Sequence, residues 1–373
     1  MALTRREFLV GTAAACATMR AIAAPNAGGE SAFPQVDVSR SLGERAAAKG
    51  ILFGTALNGG GLKNDKAYAD LVASQCRIGV PESELKWKAL RPAPDRYDFG
   101  AGDYLYEFAS SHGMKYRGHT LLWESALPRW FHSTVNPRNA KAMMLDHISV
   151  VVRHYDGKMH SWDVVNEAME PDDGRPDGLK NTPWLQMIGP EYIEMAFHAA
   201  HEADPKAMLV FNENWIEPEE RWAEKKRQAT LALLTNMKKK GVPVHGLGIQ
   251  SHLFAETVVG GPNFARFLDD IADLGLAILI TEMDIRDQHL VGSVEARDQA
   301  VAQKYYDYLS FMLQRKAVKA VLTWGLSSRY TWISEQNPRP DGSPVRPLPY
   351  DADLKPTPAW KAIAAAFDQA PVR

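Results

Sequence analysis

Two acidic residues stand where strand-like runs stop. The stretch "HSWDVVNE" (160–167) carries the strand formers Trp162, Val164 and Val165 and then ends on Asn166-Glu167. The stretch "AILITEMD" (277–284) places Glu282 near its end in the same way. Carboxylates at the ends of two strands can face each other across a bound molecule. A facing pair suits hydrolysis of a glycosidic bond: one group protonates the departing oxygen, while the other attacks the anomeric carbon or activates water. The two jobs need different environments, one pKa raised and the other kept low. A polar strand end alone marks only where a loop begins, so the reading depends on a fold that delivers both residues to one place.

The rest of the chain supplies such a fold. Short apolar runs recur as "ILFGTAL" (51–57), "QCRIGV" (75–80), "KYRGHTLLW" (115–123), "HSWDVVNE" (160–167), "AMLVFNEN" (207–214), "HGLGIQSH" (245–252), "AILITEMD" (277–284) and "VKAVLTWG" (318–325). Segments of helical periodicity lie between them. In 140–155 and 296–316, apolar and aromatic residues return every three or four positions. Eight strand–helix units predict an α/β fold, a single-domain (β/α)8 TIM barrel over 46–373, whose chemistry belongs at the strand ends. Those ends carry Asn58, Glu82, Lys86, His119, Trp123, Asn166, Glu167, Asn212, Glu213, Gln250, His252, Glu282, Asp284 and Trp324. Glu167 and Glu282 fall on the fourth and seventh strands, across the barrel mouth from each other. Trp87, Trp123 and Trp130 fit a core as well as a cleft, and His147 and His154 read as packing or surface residues of a helix. The Gly-rich "NGGGLKND" (58–65) lacks the Lys-Ser/Thr of a phosphate loop and reads as the first turn after a strand.

Composition is that of a globular protein, 45% hydrophobic and 24% charged over 373 residues. A formal net charge of −2 gives no electrostatic case for nucleic acid. No apolar run beyond the N-terminus is long enough to span a membrane. Residues 1–23 read as a twin-arginine-type export signal: Thr4-Arg5-Arg6-Glu7-Phe8-Leu9, an Ala-rich stretch, then Ala21-Ile22-Ala23. Its removal takes away three arginines and one glutamate and leaves a formal charge of −4. It predicts a periplasmic or secreted protein. Cys16 lies inside the signal, and Cys76, in the predicted second strand, would be the one mature thiol, so no intramolecular disulfide is expected. Residues 24–45 read as a linker. No clustered Cys/His ligand set or metalloprotease helix appears, so neither metal nor other cofactor is expected.

The segments "WDVVNEAM", "ITEMDI", "RGHTLLW", "GIQSH", Trp324-Gly325 and "YTWI" (330–333) follow one another in this order at strand ends. From about 45 to 365 the chain resembles glycoside hydrolase family 10, the xylanase family. The resemblance implies a retaining enzyme with Glu167 as acid/base and Glu282 as nucleophile, about 5–5.5 Å apart. It implies that Asn166 binds the sugar 2-hydroxyl and that His252, oriented by Asp284, holds Glu282 ionised. Gln250 would donate toward Glu282 or its sugar. Glu82, Lys86 and His119 would bind sugar hydroxyls. Trp324 and Trp332 would wall the cleft, with Trp123 beside them. The partner would be xylan or a xylo-oligosaccharide, and the enzyme a monomer.

Four positions depart from the family pattern. Ser83 stands for an Asn, Glu124 for a His, Ala126 for a Gln and Ser328 for an Asp. The reacting centre is intact while its neighbouring sugar site is altered. That leaves a β-1,4-glucanase, or a hydrolase of a decorated oligosaccharide or glycoside, as an alternative. A catalytically idle carbohydrate-binding barrel is the alternative of another class, and it would not need both carboxylates.

Overall fold

The structure, a computed structural model, describes residues 33–373. The export-signal reading, Cys16 and the first part of the linker lie outside the described residues. The described residues form nine parallel strands: β1 Leu52–Leu57, β2 Ile78–Pro81, β3 Lys115–Gly118, β4 Ser161–Asn166, β5 Met208–Glu213, β6 Gly246–Ile249, β7 His252–Phe254, β8 Ala277–Arg286 and β9 Val318–Thr323. Neighbours pair in sequence order from β1 to β6, β9 pairs with β1 and β8, and β6 pairs with β8. The last pairing closes an eight-stranded barrel. β7 continues β6 beyond a break and pairs only with the outer end of β8, His252 opposite Asp284. The predicted sixth strand, 245–252, is therefore two strands. Between them Ser251 takes a left-handed φ of 62°. Its N–H donates to Glu217 Oε1 at 2.9 Å, and its hydroxyl meets Tyr308 Oη at 2.7 Å.

Parallel strands covered on both faces read as continuous apolar runs, and the barrel carries two apolar layers. Ala56, Ile78, Val80, Val210, Leu279, Ala320, Leu322 and Trp324 cluster together, where strands give alternate residues to one side. The larger cluster packs between barrel and helices. The helix Val294–Met312 buries Val301, Ala302, Tyr305, Tyr308, Leu309 and Met312, the predicted three- and four-residue stripe. It packs on the last helix, Pro358–Gln369. His147 is buried on the helix Ala140–His154 and stacks on Trp87 at 3.7 Å, so both serve packing. His154 pairs instead with Asp103 at 2.7 Å, and Trp130 donates to the Arg91 carbonyl at 2.8 Å.

Four local expectations are corrected. The linker does not run to residue 45. Phe33 is buried, and the helix Leu42–Ala47 starts at Ser41, whose hydroxyl and the Glu44 side chain cap each other's backbone; Arg45 pairs with Asp368. The Gly-rich 58–65 is mostly a helix, Gly59–Asn64, capped by Asn58 accepting from Gly61 N–H at 2.8 Å. Cys76 is buried but lies before β2, where its N–H ends the helix Lys66–Gln75. Burial pushes its thiol pKa well up, which keeps it inert. The third strand stops at Gly118, not at 123. Beyond it Leu121 and Leu122 still donate to the Asp163 and Val164 carbonyls at 3.0 and 3.1 Å, so the segment tracks β4 toward the mouth.

Candidate active site

At the C-terminal ends of the strands a cleft of about 500 Å³ opens. Eleven of the twelve predicted site residues line it: Glu82, Lys86, His119, Trp123, Asn166, Glu167, Gln250, His252, Glu282, Trp324 and Trp332. Asp284 sits behind them. Its Oδ2 accepts from His252 Nδ1 and from Trp332 Nε1, both at 2.9 Å, so it fixes a ring and a cleft wall together.

Glu282 lies on β8 with its side chain almost buried, 6% exposed. Burial alone would raise its pKa. His119, whose Nδ1 is 4.0 Å from Oε1, the hydrogen bond from His252 Nε2 at 3.3 Å and the field of Lys86 overturn that and bring it down to about 2. The same geometry acts on His252. Burial would lower its pKa, but Asp284 and Glu282 raise it to about 9. His119 is oriented by Asp163, which it meets at 2.9 Å and which also takes the buried Arg117. Lys86 lies over the rings of Trp123 at 5.0 Å and Trp324 at 5.6 Å, and burial lowers its pKa. Burial raises the pKa of Glu82, partly offset by the hydrogen bond from Asn58 Nδ2 at 3.0 Å.

Glu167 follows β4 with φ 54°, a left-handed conformation that costs a non-glycine residue about 1–3 kcal/mol and concentrates at functional sites. Its N–H donates to the Asn212 carbonyl at 2.9 Å. Its Oε2 accepts from Trp123 Nε1 at 3.1 Å and its Oε1 from Gln250 Nε2 at 3.0 Å. Gln250 thus serves Glu167 and not Glu282, the first of the two expected partners, Glu282 or its sugar. Its backbone carbonyl, in turn, accepts from Glu282 N–H at 3.0 Å. The side chain was hard to place from sequence because it points out of the β6 break.

Asn212 was legible only as a polar strand end, and the structure gives it a central place. It is fully buried, and its Nδ2 donates to Asn166 Oδ1 at 2.7 Å and to Glu282 Oε1 at 2.8 Å. Its Oδ1 accepts from Thr281 Oγ1 at 2.8 Å. Gly248 makes room: a Cβ there would stand 2.1 Å from Asn212 Oδ1. The Asn166 oxygen is thereby engaged. Asn214 and Trp215 after β5 and Arg286 at the end of β8 also line the cleft. Their signal was a strand run continued by a few residues. Of the departing positions, Ser83 lines the cleft, Ala126 is buried away from it, and Glu124 is bound by Lys180. Ser328 is buried.

A polar cleft in which Glu167 and Glu282, with Glu82 beside them, stand at the mouth of a closed parallel barrel is the layout of a barrel glycosidase. The sequence model of glycosyl hydrolase family 10 matches residues 41–366, and the chain belongs to that family. It is 34% identical over 308 residues to a β-1,4-xylanase of Dictyoglomus thermophilum, covering 79% of this chain and 84% of that one. It is 33% identical to the exoglucanase XynX of Acetivibrio thermocellus over 83% of this chain, which spans 28% of that longer protein. Among solved structures, xylanase 10B of Thermotoga petrophila in complex with xylobiose superposes with a TM-score of 0.81 at 32% identity, covering 90% of this chain and 99% of that one.

Proposed function

We propose that this enzyme is a retaining endo-β-1,4-xylanase, exported by the twin-arginine route, with Glu167 as acid/base and Glu282 as nucleophile. The observation that carries the assignment is the unequal setting of the two carboxyls. Glu282 is enclosed by Asn212, His252 and His119, which favour its anion as a nucleophile requires. Glu167 accepts hydrogen bonds from neutral donors, an indole and an amide, the Lys180 ammonium stands off at 3.8 Å, and its side chain is more open at 15% exposure. Glu282 attacks the anomeric carbon while Glu167 protonates the leaving oxygen. Water, deprotonated by Glu167, then releases the glycosyl-enzyme with net retention. Asn166 donates to the sugar 2-hydroxyl as positive charge develops, and Trp324 and Trp332 offer flat faces to pyranose rings. The relatives' names, and the xylobiose complex of one of them, support xylan as substrate. The exoglucanase relative and the altered residue Ser83 keep β-1,4-glucan as the second reading.

Two variants test it on aryl β-xylobioside and on xylan against β-glucan. Glu282→Ala abolishes turnover. Glu167→Ala spares the first step on aryl glycosides with good leaving groups, and azide then restores turnover with a β-glycosyl azide product. An α-azide, or full activity in either variant, refutes the assignment; faster cleavage of β-glucan than of xylan by the wild type shifts the substrate.

A further inference from the structure

Three charged side chains, Glu124, Lys180 and Glu167, stand in a row at the cleft, and the first two lie on loops away from the barrel strands. Glu124 opens the short helical turn Glu124–Ala126 that follows Trp123. Its Oε1 accepts from Lys180 Nζ and from the Ser125 hydroxyl at 3.2 Å, and its Oε2 is buried without a hydrogen-bond partner. Lys180 Nζ in turn lies 3.8 Å from Glu167 Oε2, the oxygen that also accepts from Trp123 Nε1. The backbone fixes this placement. Lys180 N–H donates to the Ala168 carbonyl at 2.7 Å, Met169 and Leu179 form an antiparallel bridge, and Glu170 N–H donates to the Gly178 carbonyl at 2.8 Å. The chain that leaves Glu167 therefore folds back and returns an ammonium to the carboxyl it left.

We propose that Glu124 and Lys180 form a paired charge that sets the proton affinity of Glu167, with Glu124 masking a cation that would otherwise draw the proton off the acid. The proposal rests on Glu167 being the acid/base. A cation within ~4–6 Å lowers a carboxyl pKa by ~1–3 units. A general acid must instead keep its proton at the working pH. The other charges facing Glu167 have partners of their own. Glu213 on β5 is held by Lys226 at 2.7 Å, and Glu282 on β8 by His252. Lys86, after β2, interacts more strongly with Glu282 and Glu82 than with Glu167. Gln250, at the end of β6, is neutral. Lys180 takes its counter-charge from Glu124. Although burial alone would lower the Lys180 pKa, Glu124 and Glu167 raise it, so the cation persists through the neutral range. Glu124 and Lys180 are thus positioning residues that act on the proton held at Glu167.

The test is the pH profile of kcat/KM on an unactivated xylo-oligosaccharide, where leaving-group protonation is needed. Glu124→Gln moves the basic limb down by about one pH unit, because Lys180 is unmasked. Lys180→Gln moves it up. The double variant returns close to the wild-type limb, and Glu124→Asp, which keeps the charge, restores it. On an aryl xylobioside with a good leaving group the limb stays flat in all of them. A purely structural role lowers activity without moving the limb in opposite directions. A limb that does not move, moves in only one single variant or moves the same way in both overturns the proposal. If Glu124→Gln does not fold, the direction seen with Lys180→Gln decides. Azide rescue of Glu167→Ala separates the two layers: rescue with immobile limbs rejects only the charge pair, and failed rescue rejects the role of Glu167.

Discussion

Asn212→Ala probes the joint between the two halves of the site. The side chain has no solvent exposure and satisfies three partners with one amide: Asn166 Oδ1, Glu282 Oε1 and Thr281 Oγ1. Alanine fits the backbone but leaves all three without that partner. A hydrogen bond to a charged group contributes about 1.5–3 kcal/mol, and one between neutral groups about 0.5–1.5 kcal/mol. The bond to Glu282 matters most for chemistry because it holds one nucleophile oxygen in place while favouring the anion. Taking about 2 kcal/mol for it alone predicts a roughly 30-fold fall in kcat/KM on aryl xylobioside. Freed of the Asn212 bond, Asn166 adds to that loss at the 2-hydroxyl. The Glu282 pKa, held at about 2 in the wild type, rises in the variant, so the acid limb of kcat/KM moves to higher pH. Rates are compared below the onset of melting, with the concentration of active sites titrated by a slow-turnover 2-fluoro glycoside. Activity within three-fold of wild type and an unmoved acid limb would show that Asn212 merely fills space.

Two further outcomes follow from other features. His252 has its pKa raised to about 9, so its contribution to stability is complete below the unfolded value near 6.5 and disappears as pH rises through about 9. The Tm gap between wild type and His252→Gln therefore narrows from pH 6.5 to above 9, corresponding to at most about 3 kcal/mol; a constant gap refutes the linkage. Changing Arg5-Arg6 to Lys-Lys traps precursor in the cytoplasm if export uses the twin-arginine route, whereas unchanged export assigns the general secretory route.

The barrel was legible because each strand is buried on both faces and so appears as an unbroken apolar run, and because its polar residues collect at one end. That same pattern located ten of the eleven cleft residues, and Trp332 came from the family resemblance of "YTWI". What sequence could not carry were side-chain directions set by distant partners. The break at Ser251 is held by Glu217 and Tyr308, from other parts of the chain, and it turns Gln250 toward Glu167. In sequence Asn212 is one polar strand end among many; its central place depends on Gly248, one strand over, which leaves room for it. Lys180 lies in a loop with no strand-end signal, and only the return of that loop onto Ala168 brings it to the site. The residues before 46 illustrate a signal that polar composition obscured: Ser41 and Glu44 form a capping box at the spacing that announces a helix start.

The backbone ties between Ala168 and Lys180 also divide that loop into a rigid base and an exposed crown, which is tied down at one side where Asp173 accepts from Asn181 N–H at 2.8 Å and Asp172 lies 3.8 Å from Lys225 Nζ. Residues 172–177 are exposed, with Gly174 in a left-handed turn and Arg175 paired only locally to Asp177. Exposed tips with a pinned base are where inserted chain is tolerated best. The Gly174–Arg175 bond is therefore a natural graft point. A carbohydrate-binding module or an affinity handle spliced there would be carried at the rim of the cleft, within reach of a polymer lying in it, while the bonds below the splice keep Glu167 and Lys180 in register.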